Sequence, residues 1–575
     1  MGYLSRYWRK YNRPFTSAVA FLMLEAICDL LQPTIMSRIV DIGVAGGNLD
    51  YVLRMGAVMF GVTAAGASFA ITRNIISSNV SQNFGMDLRN DLYRKIHFFS
   101  FENIDRFDAA SLITRLTNDI TQVQGFVHGL MRIFVKAPLL CIGGLAMATM
   151  LNPGMSWVLM LVVFVVGIII YASVKTGYPR FAKVQKALDS VNGVMREYLS
   201  GVRVVKAFNR FDYEMKRFDK LNAELADTTT SAMRVMAVFT PFIHLTVNLS
   251  IVAVLWFGGY RISNGSMQVG QIIAFINYMT QILFSLMMIS FVFTHFVRAK
   301  ASWSRIAEVF SQSNTMAEAA EPEDLNGEKG KVEFDHVSFS YGNSSGEPVL
   351  KDIGFTVQAG ETLGIIGSTG SGKSTLVNLI PRFYDITKGC IKVNGKDVRN
   401  VDAKKLRELL AIVPQKNVLF TGTIAENIRW GKEGADISEI RQAAEIAQAR
   451  DFIEAFPEGY DTFLGQGGVN LSGGQKQRVS IARALIRMPE ILILDDCTSA
   501  VDTATEARLK KALRGYSKDL TCIIIAQRIT SIMDADRILV LDNGEIAGIG
   551  NHDELLVSCK VYQDIFHSQI GKEGI

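Results

Sequence analysis

Six apolar segments, near 15–41, 53–76, 133–151, 156–177, 236–259 and 270–297, constrain this chain most. Each is long enough to cross a bilayer, which takes about 20 residues of helix. Inside hydrocarbon every backbone N–H and C=O must find a partner within the protein, so segments of this length are read as helices. An even count puts both ends of the chain on one side. The stretch before the first segment carries Arg6, Arg9, Lys10 and Arg13 with no acid, whereas the connections near 42–52 and 151–155 carry no Lys or Arg. The excess of cations on the cytoplasmic side then places both termini in the cytoplasm. A cleaved leader is not expected, because the first apolar run is too long and lacks a small-residue cleavage pattern.

The remaining connections are asymmetric. Residues 77–132 and 178–235 are long, charged and poor in Pro and Gly, as helices running out of the membrane would be. Polar interruptions in RFDAASLITRLTNDI (106–120) and FNRFDYEMKRF (208–218) predict short helices lying across their tips. A drop in apolar content with Pro, Gly and acids then marks a linker. The expected organisation is a six-helix α transmembrane domain (1–310) with long cytoplasmic extensions, a linker (311–330), and an α/β P-loop domain (331–575). With a net charge of +5 over 575 residues and no basic block, nucleic acid is not an expected partner. The six cysteines are scattered without a CxxC pair, so no zinc site or disulfide framework is indicated.

The second domain carries the chemistry. Its apolar strand TLGIIG leads into GSTGSGKST, which satisfies G-x-x-x-x-G-K-S/T and precedes an amphipathic stretch. In such a loop, glycines let successive N–H groups face phosphate oxygens at a helix start. Gly367, Ser368, Gly370, Ser371, Gly372 and Thr375 are the expected cradle, with Lys373 as a charge on the phosphates and Ser374 as a Mg2+ ligand. A second strand, ILILDD, ends on two acids, and Asp495 would complete the magnesium shell. Just upstream, LSGGQKQR offers Ser472, Gly473 and Gly474 at a predicted helix start, a second phosphate-binding surface. One nucleotide does not easily use both. Two such domains facing head to tail would, each lending its glycine surface to the nucleotide held by the other.

A six-helix membrane domain followed by a P-loop, LSGGQ and LDDCTSAVD resembles the half-transporters of the ATP-binding cassette exporters. The resemblance covers essentially the whole chain. It implies the type IV exporter fold, ATP and Mg2+ as cofactors, a bacterial plasma membrane, and a small-molecule substrate amid membrane lipids. It also implies that Tyr341 stacks on adenine, that Gln415 lies between magnesium and the membrane domain, and that Ser472, Gly473, Gly474, Gln475 and Asp502 serve the partner's nucleotide. Asp496 stands where the family has its catalytic Glu, and Gln527 where it has a His touching the γ-phosphate. An Asp is one methylene shorter, a loss of about 1.5 Å of reach, and should miss the water it must activate. Gln can donate a hydrogen bond to phosphate but cannot become cationic. Gln466 replaces a commonly acidic residue that contacts the coupling helices. The motifs serving this chain's own nucleotide are thus altered and those serving a partner's are intact. A heterodimer is expected, with a homologous half-transporter carrying Glu and His at these two positions.

The cargo is less constrained. Glu25 and Asp29 lie four apart, on one face of the first membrane helix, where charge needs a cavity, a partner or protonation. They either line a cavity attracting cationic amphiphiles or pack against His244 or another polar neighbour. Asn277, Met279, Phe284, Met287, Met288, Phe291 and Phe293 on the last segment make a flexible aromatic surface, and Asp41 is a candidate external gate. Three readings stay open: an exporter of drug-like amphiphiles, an exporter of a defined lipid or peptide, and a nucleotide-gated regulatory membrane protein that pumps little.

Overall fold

The computed structural model describes residues 2–316, 321–325, 327–342, 347–499, 501–516 and 519–570, without the side chains of 2–5, 290, 291, 293 and 294. Phe291 and Phe293 therefore lie outside the described side chains. Two compact units form: Met1–His97 with Ala109–Gln312, and Phe98–Asp108 with Ser313–Ile575.

In the first unit, six helical spans are long and apolar enough to cross a membrane: Arg6–Val44, Leu49–His97, Ala109–Leu151, Pro153–Ser200, Phe211–Ser263 and Val269–Ile289. The helices Pro153–Ser200 and Phe211–Ser263 run 48 and 53 residues. At 1.5 Å per residue each is about 70–80 Å long, more than twice the ~30 Å hydrocarbon core. Their charged portions therefore extend into water, as the long connections predict. The unit packs around Leu159, Val166, Val254, Phe275 and Tyr278, all fully buried. Other large apolar side chains, among them Phe60, Ile71, Phe164 and Trp256, stay exposed, the pattern of a surface solvated by lipid rather than water. Three stretches widen to π-helical turns: Ile39–Val44, Arg115–Asp119 and Leu130–Phe134. The middle one carries the buried Asp119, which Arg305 grips through Nε at 2.7 Å and through a second nitrogen.

The short helices differ from the sequence expectation. The separate ones are Phe101–Arg106 and Val202–Ala207. Most of 106–120 is instead part of the span beginning at Ala109, and most of 208–218 opens the helix from Phe211. Backbone termination, not polarity, decides this. Ser100 leaves helical geometry and caps Asn103 in a reciprocal capping box, and the other short helix starts after Gly201.

The second unit is built on two main sheets. A six-stranded sheet has the order Glu545–Gly550, Arg537–Asp542, Thr362–Gly367, Thr521–Ile525, Ile491–Asp495, Leu410–Val413. All its neighbours are parallel except the first pair. The central strands are buried along their lengths, which is why they read as unbroken apolar runs. A four-stranded antiparallel sheet comprises Leu350–Val357, Val332–Phe339, Lys388–Val393 and Lys396–Asp397 in that order. The helix Phe101–Arg106 belongs to this unit: Phe101 lies 4.5 Å from the Phe383 ring, and the Tyr384 hydroxyl donates to Asp105 at 2.6 Å. Part of the linker lies along the same unit, with Glu323 paired to Lys396 at 2.7 Å and Asp324 to Lys405 at 2.8 Å.

Candidate functional site

The strand Thr362–Gly367 sits between Thr521–Ile525 and Arg537–Asp542, so the loop at its end emerges beside two other parallel strand ends. Gly370 and Gly372 take φ of +86° and +97°, a region that β-carbons disfavour. At Gly372 a Cβ would also stand 2.8 Å from Leu350 Cδ2. The helix Lys373–Leu379 follows at once, turning its free N–H groups towards the loop. Lys373 Nζ folds back to donate to the carbonyls of Gly367 and Ser368, at 2.9 and 2.7 Å. Ser371 N–H donates to Ser368, which tightens the curl. Around this loop lies a cavity of about 460 Å³.

Opposite Lys373, the strand Ile491–Asp495 brings its terminal acid to the cavity. Ser374 Oγ donates to Asp495 Oδ1 at 3.1 Å. Asp495 and Asp496 are only 6% and 7% exposed, and no cation contacts either carboxylate among the described residues. Burial, with Asp496 alongside, holds the Asp495 carboxyl above the usual carboxylate range despite the Ser374 hydrogen bond and the Lys373 charge. Burial likewise raises Asp496, against the Gln415 amide, Lys373 and the Gln527 amide. Desolvation lowers Lys373, which the two aspartates only partly offset. One hydroxyl and two under-compensated carboxylates form an oxygen-donor set that fits a hard divalent cation. The curled loop and Lys373 fit the phosphates the cation would accompany.

Asp496 and Gln527, the two positions read from the sequence as departures, are in direct contact. Asp496 is held in left-handed geometry, φ 48°, with its N–H on the Ile525 carbonyl at 3.0 Å. Its Oδ2 accepts from Gln527 Nε2 at 2.6 Å and from Gln415 Nε2 at 3.3 Å. The Asp496 carboxylate is thus engaged by two neutral amides. Gln527 is positioned by a residue the sequence reading missed: Gln569, on the C-terminal helix Lys560–Ile570, donates to the Gln527 carbonyl at 2.7 Å and accepts from Ile529 N–H at 2.8 Å. A lone Gln in an amphipathic helix carries no motif, so nothing in the sequence marked it. Tyr341 is not among the residues lining this cavity; its hydroxyl lies 3.0 Å from that of Thr375, which does line it, and its ring is edge-on to Phe339 and Tyr384 and 40% exposed.

LSGGQ lies elsewhere. Ser472 caps the helix Gly473–Leu485 in a capping box with Gln475, leaving Gly473 and Gly474 at a bare helix start. Asp502 accepts from Thr505 N–H at 2.9 Å, and this backbone hydrogen bond lowers its carboxyl. None of these residues lines the P-loop cavity. Gln466 sits in a short helical turn with Gly467 and Gly468.

In the membrane unit the sequence expectations are partly corrected. Glu25 is buried, but its partners are Arg73 (Nε, 2.7 Å) and Lys136 (Nζ, 2.6 Å), and Asp29 pairs with Lys136 at 2.9 Å. His244 is exposed and takes no part in this cluster or its cavity. Cations from two other helices compensate the acids, a pairing that no local sequence pattern announces. Asn277 lines the same cavity, with its amide on the Ile273 carbonyl at 3.0 Å. Asp41 accepts from Gly270 N–H at 2.6 Å and from Ser37 at 3.0 Å, tying the end of the first span to the start of the last.

Comparison with known proteins follows the same division. Residues 15–287 match the ABC transporter transmembrane region, and residues 350–499 match the ABC transporter family model. An ABC transporter ATP-binding protein of Bacillus subtilis, YfiB, is 42% identical over 97% of this chain and 96% of its own length. A multidrug efflux ATP-binding/permease protein of Mycobacterium bovis is 32% identical over 98% of this chain, which spans 46% of that protein. A bacterial Atm1-family ABC exporter solved with ATP bound superposes with a TM-score of 0.80 at 27% identity, over 97% of this chain and 99% of that one.

Proposed function

Because this chain belongs to the ATP-binding cassette transporters, as an ATP-binding exporter half-transporter that dimerises, we propose that it is the impaired member of a heterodimer. Its P-loop, Asp495, Asp496 and Gln527 hold one ATP that turns over slowly. Its LSGGQ surface and Asp502 complete a competent site on a partner half-transporter carrying Glu and His at the corresponding positions. The observation that carries this reading is the pairing of Asp496 with the Gln527 and Gln415 amides. A carboxylate oxygen that already accepts from two amides is less available to accept a proton from water, and Gln527 has no titratable proton to relay.

Ser374 and Asp495, with Gln415, would hold Mg2+, which supplies charge for the phosphates when bound. Lys373 would swing from its loop carbonyls to the phosphates, and the loop N–H groups would cradle them. ATP held between two such domains favours the state in which they are closed, and the helices reorient with them. The cargo is an amphiphilic small molecule; the likeness to a multidrug efflux protein supports this class. The setting is a bacterial plasma membrane with both termini cytoplasmic.

The test is to purify the full chain alone and compare its ATPase rate with that of Asp496→Glu, Gln527→His. A general base and its relay contribute about 10²–10⁴-fold, so the double variant should gain at least tenfold. If the unaltered chain already matches the double variant, the impaired-site reading is wrong.

A further inference from the structure

Resting on that reading of the chain as an exporter subunit, we propose that the membrane-unit cavity takes an amphiphile with an anionic, phosphate-type headgroup. The carrying observation is a surplus of positive charge around a partly unpaired buried arginine. The cavity measures about 780 Å³ and is lined by Glu25, Asp29, Arg73, Arg132 and Lys136 together with neutral polar and apolar side chains. Two acids meet two cations in the cluster: Glu25 accepts from both Arg73 and Lys136, and Lys136 also holds Asp29. Arg132 is then left over. It is exposed, it lines the cavity, and it makes no ion pair or side-chain hydrogen bond among the described residues. The acids that suggested a cationic cargo are therefore spent on internal cations, and Arg132 leaves the charged lining with a net positive charge.

Two further features shape the ligand. The Arg73 side chain is 5% exposed, and although its Nε is bound to Glu25, its buried Nη1 has no hydrogen-bond partner. A buried guanidinium donor without an acceptor is costly, and an oxyanion supplies one in the geometry arginine favours. Arg132 lies in the π-helical stretch Leu130–Phe134, one turn before Lys136. Widened turns of this kind recur at functional sites, and this one puts two cations within six residues of chain on the cavity wall. The rest of the lining includes Met36, Met59, Phe284 and Met288. Unbranched, polarisable side chains accommodate an alkyl tail of variable shape. Cations at one part of the wall and adaptable apolar groups elsewhere match an amphiphile better than a free ion.

The experiment is equilibrium binding to the full chain in phosphatidylcholine nanodiscs, without nucleotide, using radiolabelled dodecyl phosphate. Dodecyltrimethylammonium and inorganic phosphate serve as competitors. Dodecyl phosphate should bind at least tenfold more tightly than dodecyltrimethylammonium, and inorganic phosphate at equal concentration should not displace it. Arg132→Gln should weaken dodecyl phosphate about tenfold, the loss of one charge-assisted contact, and leave dodecyltrimethylammonium unweakened. Arg132→Lys should recover part of the loss. An unchanged thermal unfolding midpoint would show that Arg132→Gln has not disturbed the fold, as expected for an exposed side chain with no ion pair. Tighter binding of the cationic probe, or an Arg132→Gln protein that binds dodecyl phosphate as the unaltered chain does, overturns the proposal. Displacement by inorganic phosphate alone overturns the amphiphile part, since the apolar wall would then contribute nothing. No ATP turnover is read, so failure here leaves the impaired-site reading standing, and failure of the ATPase test leaves this one standing.

Discussion

Both units bury carboxylates, and they compensate them differently. In the membrane unit Glu25 sits between Arg73 and Lys136, with Asp29 on the same lysine. In the nucleotide unit Asp495 and Asp496 are as deeply buried, but their direct partners are a hydroxyl and two amides. Leaving a buried carboxylate without its cation by mutation costs about 3–5 kcal/mol. The acids of the first cluster are compensated by cations of the chain itself. The second has no cation against either carboxylate among the described residues, a place the proposed Mg2+ would fill.

The comparison can be broken at either end, beginning with the largest effect. Removing Arg73 leaves Glu25 with one cation, so Arg73→Ala should destabilise the chain by about 3–5 kcal/mol, read as a fall in the thermal unfolding midpoint in detergent. The paired change Arg73→Met with Glu25→Leu should recover most of that loss, and if it does not, the cluster serves more than charge compensation. In the nucleotide unit, Lys373→Ala should weaken ATP by about 1.5–3 kcal/mol, the worth of hydrogen bonds to a charged group, in equilibrium binding with Mg2+ present. The apo fold should scarcely change, because Lys373 bonds only to its own loop.

The raised carboxyls add a pH signature. Asp495 and Asp496 bind protons more tightly folded than unfolded. Their ionisation therefore costs the apo domain stability as pH rises from the unfolded carboxylate range, near 3.9, through the raised folded values. Mg2+ with ATP requires the ionised forms. Its stabilisation of the chain should thus grow as pH rises through that window, by up to about 1.4 kcal/mol per pH unit for each proton displaced, measured as the shift in unfolding midpoint with and without Mg·ATP. A shift constant with pH would mean that the carboxylates do not meet the cation. The smallest effect is expected at Gln569. Gln569→Ala removes two hydrogen bonds from the Gln527 loop and should cost about 1 kcal/mol in stability, with a looser Gln527 seen as faster amide exchange at 527–529.

The two units also differ in how openly their sequence speaks. The P-loop, ILILDD and LSGGQ are contiguous strings because a strand end, a tight glycine turn and a helix start are local structures whose residues must be neighbours in sequence. Their pairing across the sheet, Asp495 beside Ser374, follows from parallel strands ending at one edge. The contact of Asp496 with Gln527 was not legible, since size and donor type say what each can do but not that they bind each other. The short helices were misplaced by several residues because polarity is a weak stop signal beside a capping serine or a glycine. His244 was the wrong partner for Glu25, because any polar residue on any of five other helices was equally eligible until packing chose Arg73 and Lys136.

By itself the sequence determined that six helices are long and apolar enough to cross a membrane, that a nucleotide-binding α/β unit follows them, and where its P-loop lies. Hydrophobic length and backbone conformation are properties of short, continuous stretches. Only the tertiary structure decided the sign of the charge left over in the membrane cavity and the engagement of Asp496 by two amides. Charge compensation inside a protein depends on which side chains from distant segments come within about 3 Å of one another, and packing alone decides that.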